Sequence, residues 1–230
     1  MGDLNQLTFV TNQSKSLEGP YLEIGSKDYG NTQDLRSLFD SKGKYVGIDQ
    51  ADGLGVDCVV DMTHDFEEID AILCGDRFET VFCLSVLEHC DQPFLMASNI
   101  TRLLKNGGKL VVSVPFAWHF HGYPSDYWRF THEGIKKLFP DLEFDTANGV
   151  CATSRENDFR ALDEDIGTIP ISCGTYRRKG QFLRAISAGF VKHLAKGGLF
   201  RWLAGYPYVM APSNIFMVGT LKSAQEAKVA

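Results

Sequence analysis

The sequence is missing several things that would have fixed its class at once. Six cysteines occur in 230 residues, at 58, 74, 83, 90, 151 and 173, and no two of them form a CxxC pair. A structural zinc site needs paired ligand spacing, so none is expected and no metal is assigned. Cys58 and Cys83 sit inside apolar runs, as buried free thiols in a reducing compartment do, and a disulfide frame is not expected. No apolar run reaches the roughly 20 residues that cross a bilayer. The opening residues, MGDLNQLTFVTNQSKS, are polar and hold no apolar signal-peptide core, and Gln6 fails the myristoylation pattern. The expected location is therefore cytoplasmic. Positive charge is also scarce: 23 Lys and Arg stand against 29 Asp and Glu, a net of −6, which gives no case for nucleic-acid binding. GxGxxG is absent, which disfavours a nicotinamide-dependent reductase. One last absence is local. From Ile166 to Gln225 there is no Asp or Glu, although that segment carries eight Lys or Arg.

What is present is a rhythm. YLEIG (21–25), KYVGID (44–49), DCVVD (57–61), ETVFCL (79–84) and KLVVSV (109–114) are short and often apolar on both faces, as parallel strands covered by helices are. Helices are predicted between them, over Thr32–Ser41, Phe66–Cys74 and Pro93–Lys105. Asp65 with Glu68 suggests a capping box for the second, and proline and NGG bound the third. The alternation argues for an open, doubly wound, Rossmann-like α/β sheet. LEFDTANGVC (142–151) reads as a sixth strand and NIFMVGTL (214–221) as a seventh, and the whole of 1–230 reads as a single domain.

In such a sheet ligands bind at the carboxyl ends of the strands, beside the point where strand order reverses. Three successive strand ends carry acids: Glu23, Asp49 and Asp61. Asp49 can accept from both hydroxyls of a ribose, Asp61 can receive an exocyclic amine, and Met62 can cover a purine face. The set suits a ligand with a cationic amino-acid end, a ribose and an adenine, and suits a diphosphate poorly. At the fourth strand end, Ser85 and Glu88 have capping-box spacing, and His89 follows one turn into the next segment.

YLEIGSKDYGN, YVGIDQADGLGVDCVVDM, VFCLSVLEHCDQPF and LLKNGGKLVVSVPF together resemble, in order and spacing, the successive motifs of class I S-adenosylmethionine-dependent methyltransferases, in particular a type-11-like domain. The likeness covers roughly residues 20–140. It implies a seven-stranded sheet whose last strand alone is antiparallel, S-adenosyl-L-methionine as methyl donor and S-adenosyl-L-homocysteine as product. By position it places Glu23, Gly25 and Ser26 on the methionine part and Asp49 on the ribose. Gln50, Asp61 and Met62 fall around the adenine, with Leu84 and Ser85 on the sulfonium side. Lys27 departs from the pattern, standing where a third small residue is usual.

HFHGYPSDYWRFT (119–131) follows the fifth strand and fits neither a helical nor an alternating period. Two readings stand open. It can wall the acceptor site, with His119 or His121 taking the acceptor's proton and Asp126 as a competing base. It can equally be a packed lid held by an Asp126–Arg129 pair, with Thr131 capping the next helix. PSDYWRFT also resembles a methyltransferase subgroup associated with bacterial glycan or secondary-metabolite assembly. The implied function is methyl transfer to an oxygen or nitrogen of a small-molecule or glycan-type acceptor. A module that binds the donor without catalysis, as regulator or assembly subunit, is the alternative.

Residues 152–212 read as a helical, basic insertion before the last strand. Phe182, Leu183, Ile186, Phe190 and Leu194 recur at helical spacing among its cations. Over 176–202 such a helix can pack as a cap on the acidic remainder of the chain, contact an anionic membrane surface peripherally, or bind an acidic partner or substrate.

Overall fold

The computed structural model describes residues 4–30, 34–122, 124–153, 155–162, 166–199, 206 and 208–222. All five expected parallel strands form: β1 (Tyr21–Ile24), β2 (Tyr45–Asp49), β3 (Cys58–Val59), β4 (Phe78–Leu84) and β5 (Leu104–Ala117). They pair in the order β3-β2-β1-β4-β5, each pair parallel. The chain moves outward from β1 to β3, then crosses back to lay β4 on the other side of β1. The switch point therefore lies between β1 and β4.

Alternation along the strands divides the core into two layers. Leu22, Ile24, Val46 and Ile48 point to the face covered by α3 (Phe66–Ile72), α4 (Pro93–Leu103) and α5 (His132–Leu138). Tyr21, Tyr45, Phe82 and Val111 point to the other, covered by α1 (Leu4–Gln13) and α2 (Arg36–Phe39). There an aromatic cluster forms, with Tyr21 and Phe82 rings 4.7 and 5.1 Å from that of Phe39. Phe9 and Val10 of α1 are buried in the same layer. α1 was not among the expected helices, since two of its inward residues, Asn5 and Gln6, are polar.

The last strand, β11 (Ser213–Leu221), is antiparallel to β5, as expected. The sixth is split into β6 (Leu142–Phe144) and β7 (Val150–Thr153), both antiparallel to β11. Asp145 makes the break, its Oδ1 accepting from the backbone of Ala147 and Asn148 at 3.1 Å. An additional strand, β8 (Phe159–Ala161), returns antiparallel on β7. The sheet thus has the expected seven positions, the sixth in two pieces, plus one further edge strand.

The described part of the insertion is mixed rather than wholly helical. Besides β8 it contains β9 (Thr168–Pro170) and β10 (Tyr208–Met210), which pair antiparallel, and the helices α6 (Cys173–Arg178) and α7 (Phe182–Lys196). Much of GGLFRWLAGYPYVM lies outside the described residues. Among the described residues, no helix is long and apolar enough to cross a membrane.

Candidate active site

A cleft of about 420 Å³ opens at the carboxyl ends of β1, β2 and β4. Glu23, Gly25, Asp49, Gln50, Asp61, Met62, Leu84 and Ser85 all line it. Gly25 ends β1 with φ +78°, and a Cβ there would lie 2.6 Å from Val86 Cγ2, so the turn requires glycine. Ser26 does not reach the cleft through its side chain. It is buried, and its Oγ packs so closely on β2 that a Cβ built on Gly47 would meet it at 2.7 Å. The loop beyond is tied down by the Asp28 amide donating to Leu54 O at 2.8 Å. Lys27 lines the cleft, its Nζ 5.5 Å from the Tyr29 ring centroid.

The three acids differ in their surroundings. Burial pushes Glu23 up to about 7, partly offset by the Tyr45 hydroxyl, which donates to Oε2 at 2.7 Å. Asp49 is nearly buried, and its Oδ1 accepts from the Ala51 amide at 3.0 Å. Burial pulls the Asp61 pKa upward, but the Thr63 hydroxyl and amide, at 2.6 and 2.8 Å, outweigh this and hold it below the ordinary value. Asn99 of α4 donates to Met62 O and His64 O, each at 3.0 Å, which fixes the loop carrying Met62.

At the end of β4, Ser85 adopts φ +56°, a left-handed conformation that costs a serine energy. It is held there from both sides. Its amide donates to Ser113 O at 3.0 Å, and Gln6 of α1 donates through Nε2 to Ser85 Oγ at 2.5 Å and Ser113 Oγ at 2.7 Å. Gln6 also lines the cleft. The Leu4, Leu7, Val10 spacing carries the helical signal by which this residue could have been found. Neither expected acidic capping box forms, since no side-chain cap bond is made by Asp65 or at Leu87–His89, which is a 3-10 turn. Glu88 is instead 1% exposed with no partner for Oε2 among the described residues, and burial pushes it up to about 8.

The stretch 119–131 is partly wall and partly scaffold. Pro124, Ser125 and Tyr127 line the cleft, while His119, His121 and Asp126 do not. Asp126 is a clamp. Both its oxygens accept from Arg129, at 2.5 and 2.7 Å, and Oδ2 also accepts from the His121 amide at 2.8 Å. The Arg129 hydrogen bonds hold its pKa well below the carboxylate range, so it is unfit as a base. His121 places Nδ1 3.2 Å from Asp126 Oδ2 and 3.1 Å from His119 O. His119 is exposed, its ring stacked on Trp118 at 5.7 Å. The Tyr127 amide donates to Glu88 O at 2.8 Å, the Trp128 indole to Cys90 O at 2.7 Å, and the Phe130 amide to Pro115 O at 3.0 Å. Thr131 caps α5 as expected, accepting from the Gly134 amide at 3.0 Å.

The imidazole that does reach the cleft is His89. Its Nδ1 lies 2.5 Å from Ser125 O, a contact that requires the proton on Nδ1 and leaves Nε2 as an acceptor. Burial lowers its pKa, so the ring is neutral near pH 7. The His121 ring meets it edge-on, centroids 5.1 Å apart.

Residues 22–112, which contain every one of these strand ends, match the family model described as a methyltransferase domain. The matched segment is a methyltransferase domain. The acids and the glycine turn of the cleft fit S-adenosylmethionine as the methyl donor. Two solved structures share the fold of this chain over nearly all of its length. A SAM-dependent methyltransferase from Archaeoglobus fulgidus is 13% identical with TM-score 0.54, covering 95% of this chain and 94% of that one. The 1,6-didemethyltoxoflavin N1-methyltransferase of Burkholderia thailandensis is 11% identical with TM-score 0.52, covering 96% and 79%. The cyclase SpnF, at 14% identity and TM-score 0.53, also shares the fold and covers 96% and 81%, so the fold by itself does not set the reaction. Comparison with curated proteins gives no match.

Proposed function

We propose that the enzyme methylates an oxygen or nitrogen of a small-molecule or glycan-type acceptor, and that His89 takes the acceptor's proton. The observation that carries this reading is the continuity of the cleft. Donor-side residues Glu23, Asp49 and Asp61 and acceptor-side residues His89, Ser125 and Tyr127 line one space. S-Adenosylmethionine bound there supplies an electrophilic methyl group on a sulfonium. Asp49 receives the ribose hydroxyls, Asp61 and Met62 flank the adenine, and Glu23 with the Gly25 turn holds the methionine end. Lys27 gives that end a cation for its carboxylate. Tyr127 and Pro124 exclude water and hold the acceptor close to the methyl group. His121 and Asp126 are positioning residues behind His89, and His119 contributes through its carbonyl. Among solved structures of this fold, the Burkholderia enzyme holds a small molecule together with S-adenosylhomocysteine, which is the arrangement proposed here.

The test is a screen of hydroxyl- and amine-bearing acceptors with labelled methyl donor. With an acceptor in hand, His89→Gln lowers turnover by about 10²–10⁴-fold while S-adenosylhomocysteine affinity is unchanged. The parent's rate rises with pH through an apparent pKa below the ordinary histidine value, and this limb is absent from the variant. Full turnover in His89→Gln removes the base assignment. Donor binding without methylation of any acceptor leaves the non-catalytic module as the better reading.

A further inference from the structure

The insertion ends on a surface that the methyl-transfer chemistry does not use. In α7 the residues packed inward are small: Ala185, Ala188 and Ala195 are buried. The large apolar residues point outward, with Phe182 69%, Leu183 82%, Ile186 69% and Phe190 62% exposed. At 3.6 residues per turn these four fall within an arc of about 100°. The helix is amphipathic in the sense opposite to that of a packed cap, where Phe182, Leu183, Ile186 and Phe190 would face the core.

Charge selects the occupant. Around this apolar arc the segment from Ile166 to Gln225 presents only cations, among them Arg177, Arg178 and Lys179 at the end of α6 and Arg184, Lys192 and Lys196 on α7. The remainder of the chain carries 15 basic and 29 acidic residues, so positive charge is concentrated in the insertion. Bulky apolar side chains on one arc, with Lys and Arg and no acid elsewhere, are what a helix needs to lie in the headgroup region of an anionic bilayer. Burying the arc there removes apolar surface from water, and the cations meet lipid phosphates. A protein partner would have to be both apolar and strongly acidic to match the same face.

We propose that α7 docks this enzyme peripherally on anionic lipid, with Phe182, Leu183, Ile186 and Phe190 entering the headgroup–acyl boundary. The proposal is independent of the acceptor and of the His89 assignment. It is tested by co-sedimentation of the full chain with vesicles of phosphatidylcholine alone and of phosphatidylcholine with phosphatidylglycerol. Binding is expected to the second and not the first, and to fall as salt rises, because exposed charges are screened beyond about 10 Å at 0.1 M. The double variant Phe182→Ser/Phe190→Ser should lose roughly 100-fold in partitioning, since each buried phenylalanine contributes about tenfold or more. Lys192→Gln/Lys196→Gln should weaken binding and flatten its salt dependence. Circular dichroism and S-adenosylhomocysteine affinity should match the parent in both variants, which separates lost docking from lost folding. Equal partitioning to the two vesicle types overturns the proposal. So does a dimer in sedimentation velocity, abolished by the phenylalanine changes, with no vesicle binding; it would make the face an interface between copies of the chain.

Discussion

Glu88 shows what a single carboxyl can cost this protein. It is buried beside the cleft, has an unpartnered Oε2 among the described residues, and is pushed by burial up to about 8 from an ordinary 4.5. Below pH 4.5 the group is protonated in both folded and unfolded chains and contributes no pH dependence. Between 4.5 and 8 the unfolded chain ionises and the folded one does not, so stability falls as pH rises through this window. Glu88→Gln removes that fall. Urea unfolding should find the variant no different near pH 4.5 and more stable at pH 8.5, by up to about 5 kcal/mol. A variant less stable at high pH would mean that Glu88 is ionised and paired in the folded state. The same kind of local chemistry separates the imidazoles. Ser125 O fixes the tautomer of His89, while His121 is turned to Asp126.

At the scale of elements, α1 acts on the site through Gln6, which holds the hydroxyls ending β4 and lining β5. Gln6→Ala leaves Ser85 and Ser113 without that donor while Phe9 and Val10 still anchor the helix. The expected result is a loss of about 1–2 kcal/mol in thermal or urea unfolding together with a lower kcat/KM. Gln6→Asn, which cannot span the same distance, should not rescue it; unchanged kinetics in both would confine Gln6 to a packing role. The sequence made β1, β2, β4 and β5 legible, because a parallel strand covered on both faces has to be apolar throughout. It made Asp49 and Asp61 legible for a related reason, since a carboxylate closing such a strand has few structural uses. α1 was missed although Leu4, Leu7 and Val10 have helical spacing, because Asn5 and Gln6 beside them are polar and find their partners far along the chain. The burial of the Ser26 side chain was not legible, because a side chain's direction in a turn is set by its neighbour, here Gly47. The base was sought at 119–126 because position after β5 is readable, whereas bonds from Tyr127 to Glu88 and from His89 to Ser125, which decide what faces the cleft, are not.

For the molecule as a whole, donor binding and folding are coupled through the cleft. S-Adenosylhomocysteine at 100 times its Kd stabilises the folded state by about 2.7 kcal/mol. In a chain of this length that corresponds to a rise of roughly 5–10 °C in Tm. Asp49→Ala should weaken the ligand by ~1.5–3 kcal/mol and remove roughly half or more of the rise at the same ligand concentration, with NAD giving none in either protein. A full shift in Asp49→Ala would displace the ribose from that carboxylate. One further consequence concerns how the sheet ends. Its outermost strands are very short: two residues in β3 and three each in β6 and β8, with Arg160 exposed at the centre of β8. A long free edge would offer a row of unpaired amides and carbonyls to any other extended chain. Here an incoming strand could form a ladder of three residues at most before meeting a turn or a charge. The sheet is thus guarded against growing by strand addition, a hazard for a chain whose central strands are apolar on both faces and stand exposed whenever it is incompletely folded.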